Sequence, residues 1–333
     1  MQTPLAAKKA ENATARTEAK REVKAQATQA LLKETQQKPG LAAQAAALKP
    51  KPATAPVVIP KAPVKVGGQP EPAPDPKKDP TVNPTSESEH VKGATYEPVK
   101  GKPFVKGASD EKDIDPNDVN QGQLGDCYFV AALAALAKQS PETLRQRVKD
   151  NGNGTYTVTF AEGGDVVVDG RFPMKNGQVQ FAGKGDETPA EGAELWVMLI
   201  EKAWAKLKGG YEDIRGSKVR MSSTDAMQAI TGKETRTLRP GSMGEDELFT
   251  VLADAEAKGW PVTLGVKNVS DPNEVRAVKA TGLVPNHAFA VMKVDRPGKT
   301  LSVYNPWGAE YKVPALTYDS LSKYVQTIQI NKD

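Results

Sequence analysis

Apolar residues gather in a few places along this chain, and the densest is residues 121–138, QGQLGDCYFVAALAALAK. Every position from Tyr128 to Ala137 is apolar, with a density of alanine and leucine that favours helix. A helix apolar on all sides is normally buried inside a domain. Residues 194–207, ELWVMLIEKAWAKL, carry a clean stripe, with apolar residues at 195, 196, 199, 200, 203, 204 and 207. That spacing predicts a second helix packed on the first, with Trp196 and Trp204 in the core and Gly209-Gly210 as its stop.

Weaker patterns fill the space around these two. Ser140-Pro141-Glu142 reads as an N-cap with proline in the first turn, opening a short helix to about residue 148. After the turn Asn151-Gly152-Asn153-Gly154, the stretches TYTVTF and DVVVDGRFP alternate as hairpin strands, with Gly163-Gly164 at the reversal. Residues 223–230 and 245–258 read as helices, the latter stopped by Gly259, and 261–267 as a strand. Residues 268–282 are polar and read as a long loop. From His287 to residue 294 apolar and small residues alternate as a strand, 295–299 turn, and 300–304 return, ending at Asn305-Pro306-Trp307-Gly308.

Residues 1–107 have a different composition. They are rich in Ala, Lys, Gln, Thr and Pro, with prolines every few positions from 50 to 103, and are expected to form a disordered, extended tether or leader. Order is expected to begin near residue 108. This segment holds 18 Lys and Arg against 10 Asp and Glu, about +8, which against a whole-chain charge of +4 leaves about −4 on 108–333. The basic excess belongs to the tail, so the globular part is not expected to bind nucleic acid. No run of about 18 apolar residues is present to span a membrane. The first residues lack the apolar core of a secretory signal. A cytoplasmic location is the default expectation, with non-classical secretion and self-processing of the tail left open.

The chain has one cysteine and two histidines. That inventory rules out an intramolecular disulfide and a Cys/His zinc site. It also narrows the chemistry. Cys127 falls at the first turn of the buried helix, where unpaired N–H groups and the dipole favour a thiolate. His90 lies in the proline-rich segment, so a Cys–His mechanism has His287 as its base. In an antiparallel hairpin around residues 295–299, His287 and Asn305 come within a residue or two of facing each other. A carboxamide oxygen there would fix the imidazole tautomer, and Trp307 would cover the bond. Gln121, brought back by the Gln-Leu-Gly-Asp turn, could join the Cys127 N–H as donor to an oxyanion, or could simply close its loop.

QGQLGDCYFVAALAAL closely resembles the active-site signature of calpain-type cysteine proteases. LWVMLIEKAWAKLKGGYEDIRG resembles a second signature of that family, GLVPNHAFAV its histidine motif and NPWG its asparagine motif. The resemblance implies an α+β, papain-like core of two subdomains with a cleft between them. A helical part (108–240) would bear Cys127 and a β-rich part (241–333) His287 and Asn305. It implies a cysteine endopeptidase for limited proteolysis of protein or peptide substrates through an acyl-enzyme. Cys127 matches the nucleophile, His287 the base, Asn305 the orienting residue, Gln121 the oxyanion donor and Trp307 the shield. Tyr128 stands where the family usually has tryptophan. No D-x-D-x-D-G pattern of an EF-hand loop occurs, and the short core is more like a bacterial member than an animal one. The chemistry needs no cofactor, calcium dependence is open, and a monomer is expected. The alternatives are a catalytically silent binding module and transglutaminase-like acyl transfer.

Overall fold

A computed structural model describes residues 75–86, 93–107 and 112–332. The expected tail falls outside the described residues as far as position 74, as does His90. The onset of order expected near 108 is, however, too late. Strand β1 (Thr95–Pro98) and strand β2 (Gly101–Lys102) already pair with later parts of the chain. Residues 75–86 are also held. Lys77 O accepts from Val167 N (2.8 Å), Thr85 O from Tyr211 N (3.1 Å), Asp79 O from Lys206 Nζ (2.5 Å) and Pro84 O from Tyr96 Oη (2.6 Å). All four use carbonyls of the segment. A proline-rich stretch is poor in N–H donors but keeps every C=O, which composition alone does not reveal.

The cysteine helix α1 (Cys127–Gln139) is buried from Tyr128 to Ala137. Helix α2 (Pro141–Arg147) follows it and leads into an antiparallel sheet of β3 (Val148–Asp150), β4 (Thr155–Phe160) and β5 (Gly164–Asp169). Strand β6 (Arg171–Lys175) lies between β1 and β7 (Gln178–Val179). Strands β8 (Glu187–Thr188) and β9 (Gly192–Glu194) complete a small sheet with β2. Helix α3 (Trp196–Lys208) then packs its stripe on α1 and ends at Gly209, whose φ of 113° suits a residue without Cβ. Trp204 stacks on Phe129 with ring centroids 5.3 Å apart and planes 7° apart, and the Trp196 Nε1–H donates to Asp118 Oδ2 at 3.3 Å. Both tryptophans are core residues. Trp204→Ala should cost about 3–5 kcal/mol, measurable as a lowered urea midpoint; a change below about 1 kcal/mol would mean that this stack does not hold the helices together.

Helix α4 (Ser223–Thr231) leads to a six-stranded antiparallel sheet. Its spatial order is β10 (Thr235–Leu238), β15 (Val325–Asn331), β11 (Val262–Val266), β12 (Ala288–Asp295), β13 (Thr300–Tyr304) and β14 (Leu316–Thr317). The sheet thus takes in residues ahead of the expected boundary at 240. Helix α5 (Glu245–Ala257) buries Leu248, Phe249, Leu252 and Ala255 in the same cluster as the sheet residues Leu264, Phe289 and Ile328. Residues 268–282 are not all loop. Helix α6 (Pro272–Ala280) is capped by Asp271, whose Oδ1 accepts from the N–H groups of Asn273 (2.8 Å) and Glu274 (3.0 Å). Only Val278 of this helix is buried, so its apolar stripe is too thin for periodicity to detect. The short helix α7 (Tyr318–Tyr324) joins β14 to β15.

Strand β12 positions the site. Its alternation splits between two hydrophobic clusters: Ala288 and Ala290 pack with α1, whereas Phe289 and Val291 pack with the sheet and α5. A strand buried on both faces accounts for the continuous run Ala-Phe-Ala-Val. The small residues fall on the α1 side, which lets the helix approach the strand closely.

Candidate active site

The loop before Cys127 is fixed by backbone bonds on several sides. Gln121 N donates to Pro306 O (2.7 Å), Gln123 N to Gln180 O (2.8 Å), Gly183 N to Asn120 O (2.6 Å) and Gly216 N to Gly125 O (3.0 Å). At Gly122 a Cβ would run into the Phe181 carbonyl, so only glycine fits there. Cys127 is half-buried. Burial pushes the thiol up to about 11, the Ala288 N–H pulls it down, and the Asp126 carboxylate adds to the rise. Desolvation therefore outweighs the helix-end preference for thiolate in this state.

His287 is presented by an unusual backbone step. Asn286, at φ 52°, occupies the left-handed region that asparagine tolerates. Asn286 N donates to Lys267 O (3.1 Å) and Val266 N to His287 O (2.9 Å). In the hairpin Ala290 faces Tyr304. One step further sets Asn305 opposite Phe289, two residues from His287. The ring closes that gap, with His287 Nε2 2.9 Å from Asn305 Oδ1. Trp307 N donates to the same oxygen at 3.1 Å. A backbone N–H can only donate, so this atom is the carboxamide oxygen, and the imidazole must carry its proton on Nε2. Nδ1 is left as the basic nitrogen. The Trp307 ring lies 4.6 Å from the imidazole, tilted by 40°, and Phe289 meets it edge-on at 4.9 Å. His287 is 6% exposed, and burial lowers it to about 4 against the upward pull of Asn305.

Cys127 packs against the hydrophobic cluster that includes Ala288, the residue after His287, and the Ala288 backbone acts on the thiol. Gln121 is buried beside them, with Nε2 donating to Leu124 O (2.7 Å) and Asp126 Oδ1 (3.2 Å). Its amide hydrogens close the loop in this state, and its Oε1 finds no partner among the described residues. Tyr128 Oη donates to Ile214 O (3.0 Å) and accepts from Trp204 Nε1 (3.3 Å), linking α1 to α3. The motifs give no sign of several buried charged residues, three of which stand out. Asp126, Glu201 and Lys202 are 0%, 1% and 0% exposed. The signal was present at 201 and 202, where Glu-Lys interrupts a run of apolar residues in a helix too buried to spare a polar face. Lys202 Nζ is paired with Asp169 Oδ1 (2.5 Å) and Arg171 O (2.6 Å). Among the described residues no group of three or more His, Cys, Asp or Glu gathers as metal ligands, so no calcium ligand set is derived. No helix among them is long and apolar enough to cross a membrane.

A half-buried thiol at a helix start thus packs with the strand that follows an Asn-anchored histidine. Residues 104–320 match the family model described as calpain family cysteine protease. The chain is 34% identical to Calpain-A of Drosophila melanogaster over 215 residues, 58% of this chain and 24% of that protein. It is 32% identical to the Calpain-2 catalytic subunit of Gallus gallus over 207 residues, 57% of this chain and 28% of that protein. A calpain-type cysteine protease of Zea mays is 29% identical over 232 residues, 65% of this chain and 10% of that protein. The chain belongs to the calpain family of cysteine proteases. It spans well under a third of the length of these curated relatives.

Proposed function

We propose that this chain is a cysteine endopeptidase that cleaves protein or peptide substrates through an acyl-enzyme. One observation carries the reading: Cys127 packs against the cluster that holds Ala288, the residue next to His287, while His287 is locked to Asn305 with Nδ1 left as the basic nitrogen. Both reacting groups rest neutral, so the proton moves as the thiol attacks. His287 Nδ1 takes it from Sγ, sulfur adds to the peptide carbonyl, and the imidazolium then protonates the leaving amine. Water hydrolyses the thioester with His287 again as base. Asn305 keeps the ring in the useful tautomer, and Trp307 keeps water from that bond. The Cys127 N–H is one oxyanion donor. Gln121 is the second, through its side-chain amide, which Asp126 Oδ1 anchors at 3.2 Å.

The two hydrophobic clusters, one around α1 and one around the six-stranded sheet, support a papain-like division into two subdomains with the reacting groups at their seam. No cofactor enters this chemistry. The test is digestion of an unfolded protein and a peptide library in oxygen-18 water, with calcium or with a chelator. New carboxyl termini carrying the heavy oxygen are expected, and the two arms decide the calcium requirement. Amine incorporation without cleavage would replace hydrolysis by acyl transfer, and thiol binding without any product would leave only a binding module.

A further inference from the structure

Two acids near the nucleophile take no part in the bond changes of that scheme. Asp126 sits at the N-cap of α1, where a carboxylate ordinarily caps the helix, yet its side chain makes no capping bond. It turns inward, and Oδ1 accepts the Gln121 Nε2–H at 3.2 Å. Asp126 Oδ2 is buried with no N–H aimed at it among the described residues. Glu201 on α3 is the other buried acid beside it, and the two carboxyls act directly on one another. Glu201 in turn accepts the Ala182 N–H with both oxygens, each at 3.1 Å. Carboxylate oxygens only accept, so two carboxyls buried side by side with no cation between them are held together only if one keeps a proton.

We propose that Asp126 and Glu201 form a proton-sharing positioning unit that holds the Gln121 amide and the first turn of α1 in register for the chemistry of Cys127. The proposal rests on the reading of Cys127 as nucleophile. The pair ties three elements together: the loop at Gln121, α1 at Asp126 and α3 at Glu201, with the segment at Ala182 behind. The titratable groups that feel it are Cys127 and Tyr128 of α1, Tyr96 of β1 and Tyr211 of the turn after α3. None of these is a cation. Burial accordingly pushes Asp126 up to about 7 and Glu201 well above the usual carboxylate range. The shared proton also limits the negative charge next to the thiol. Its loss at higher pH would set two buried carboxylates against each other and oppose thiolate formation.

The test reads Cys127 directly, because it is the only cysteine of the chain and alkylation by iodoacetamide needs no substrate. Rate–pH profiles are compared for the wild type, Glu201→Gln and Glu201→Ala, with peptide cleavage assayed on the same samples. An amide at 201 can keep the Ala182 bond and donate an N–H to Asp126 in place of the shared proton. Below neutrality Glu201→Gln should therefore match the wild type, while Glu201→Ala cleaves roughly tenfold more slowly or worse. Where the pH is high enough to remove the shared proton, the wild type gains a second charge and Glu201→Gln does not. The variant should then alkylate faster, by roughly tenfold, the equivalent of about one pKa unit. Superimposable profiles for the wild type and Glu201→Gln at every pH would overturn the proposal. So would a Glu201→Gln as slow in cleavage as Glu201→Ala below neutrality. Failure of the nucleophile reading shows itself differently, as undiminished cleavage by Cys127→Ala, and leaves the alkylation profiles interpretable.

Discussion

Cys127→Ala should lose peptide cleavage by roughly 10,000-fold or more while melting at the wild-type temperature. The size follows from the scheme, in which every bond change passes through Sγ. Removing the nucleophile of such a unit leaves only the contribution of substrate binding and oxyanion donors. The unchanged stability follows from the surroundings. The substitution deletes one half-buried sulfur and keeps Cβ. It also adds alanine, the best helix former, to the first turn of a helix already rich in it. The backbone ties of the preceding loop, such as Gln121 N to Pro306 O, do not involve the side chain. The change in unfolding free energy should stay within about 1 kcal/mol. Measuring kcat/KM and Tm on the same preparation separates the outcomes. Wild-type cleavage by this variant would remove Cys127 from the mechanism, and a large fall in Tm would make its thiol a structural element. Retained binding of an unfolded protein by the inert variant is expected, since no other side chain of the site is altered.

The parts of this site legible in the sequence are those that depend on local order. The helix start at 127, the hairpin that delivers His287 towards Asn305, and the core role of Trp196 and Trp204 all follow from period and turn signals. Their counterparts in space are Cys127–Gln139, the β12–β13 pairing and the stacked ring of Trp204. What stayed hidden depends on partners far apart in the chain. The Pro306 carbonyl receiving the Gln121 N–H is one case. The carbonyls of residues 77–85, taken up by Val167, Lys206, Tyr96 and Tyr211, are another. The inner strand Val325–Asn331 was missed because VQTIQIN puts glutamine and asparagine on a buried strand. There Gln329 Oε1 accepts from Thr263 Oγ1 (3.1 Å), and the Asn331 side chain donates to Lys233 O (3.1 Å). Long-range hydrogen bonds make such residues suitable for an interior, and composition cannot reveal them. The thiol is the instructive error: the helix end pulls towards thiolate, but the packing that makes the helix buried also desolvates the sulfur.

His287→Ala should cost nearly as much activity as Cys127→Ala, and the double variant no more than either, because base and nucleophile act as one unit. The same substitution has a second effect that a merely disrupted site would not produce. In the native state burial holds His287 down to about 4, against 6.5 ordinarily. Between those values the unfolded chain binds a proton that the native chain refuses, so the histidine lowers stability as pH falls through that window. Over the 1.5 units from 6.5 to pH 5 this amounts to about 2 kcal/mol. Asp126 and Glu201 act with the opposite sign in the same range. Their native carboxyls hold protons that the unfolded chain has released, so they raise stability as pH falls from about 7 towards the ordinary carboxylate range. The wild type shows only the difference between the two. His287→Ala should unmask the acid pair, becoming more stable on acidification from pH 7 to 5 by about 2 kcal/mol relative to the wild type. Glu201→Gln should show the reverse, a steeper loss of stability towards acid. Urea titrations of the three proteins at both pH values measure this. Parallel pH dependence in all three would mean that the imidazole is solvated and protonates freely in the native state, and would remove the desolvated, neutral base on which the proton transfer from Cys127 depends.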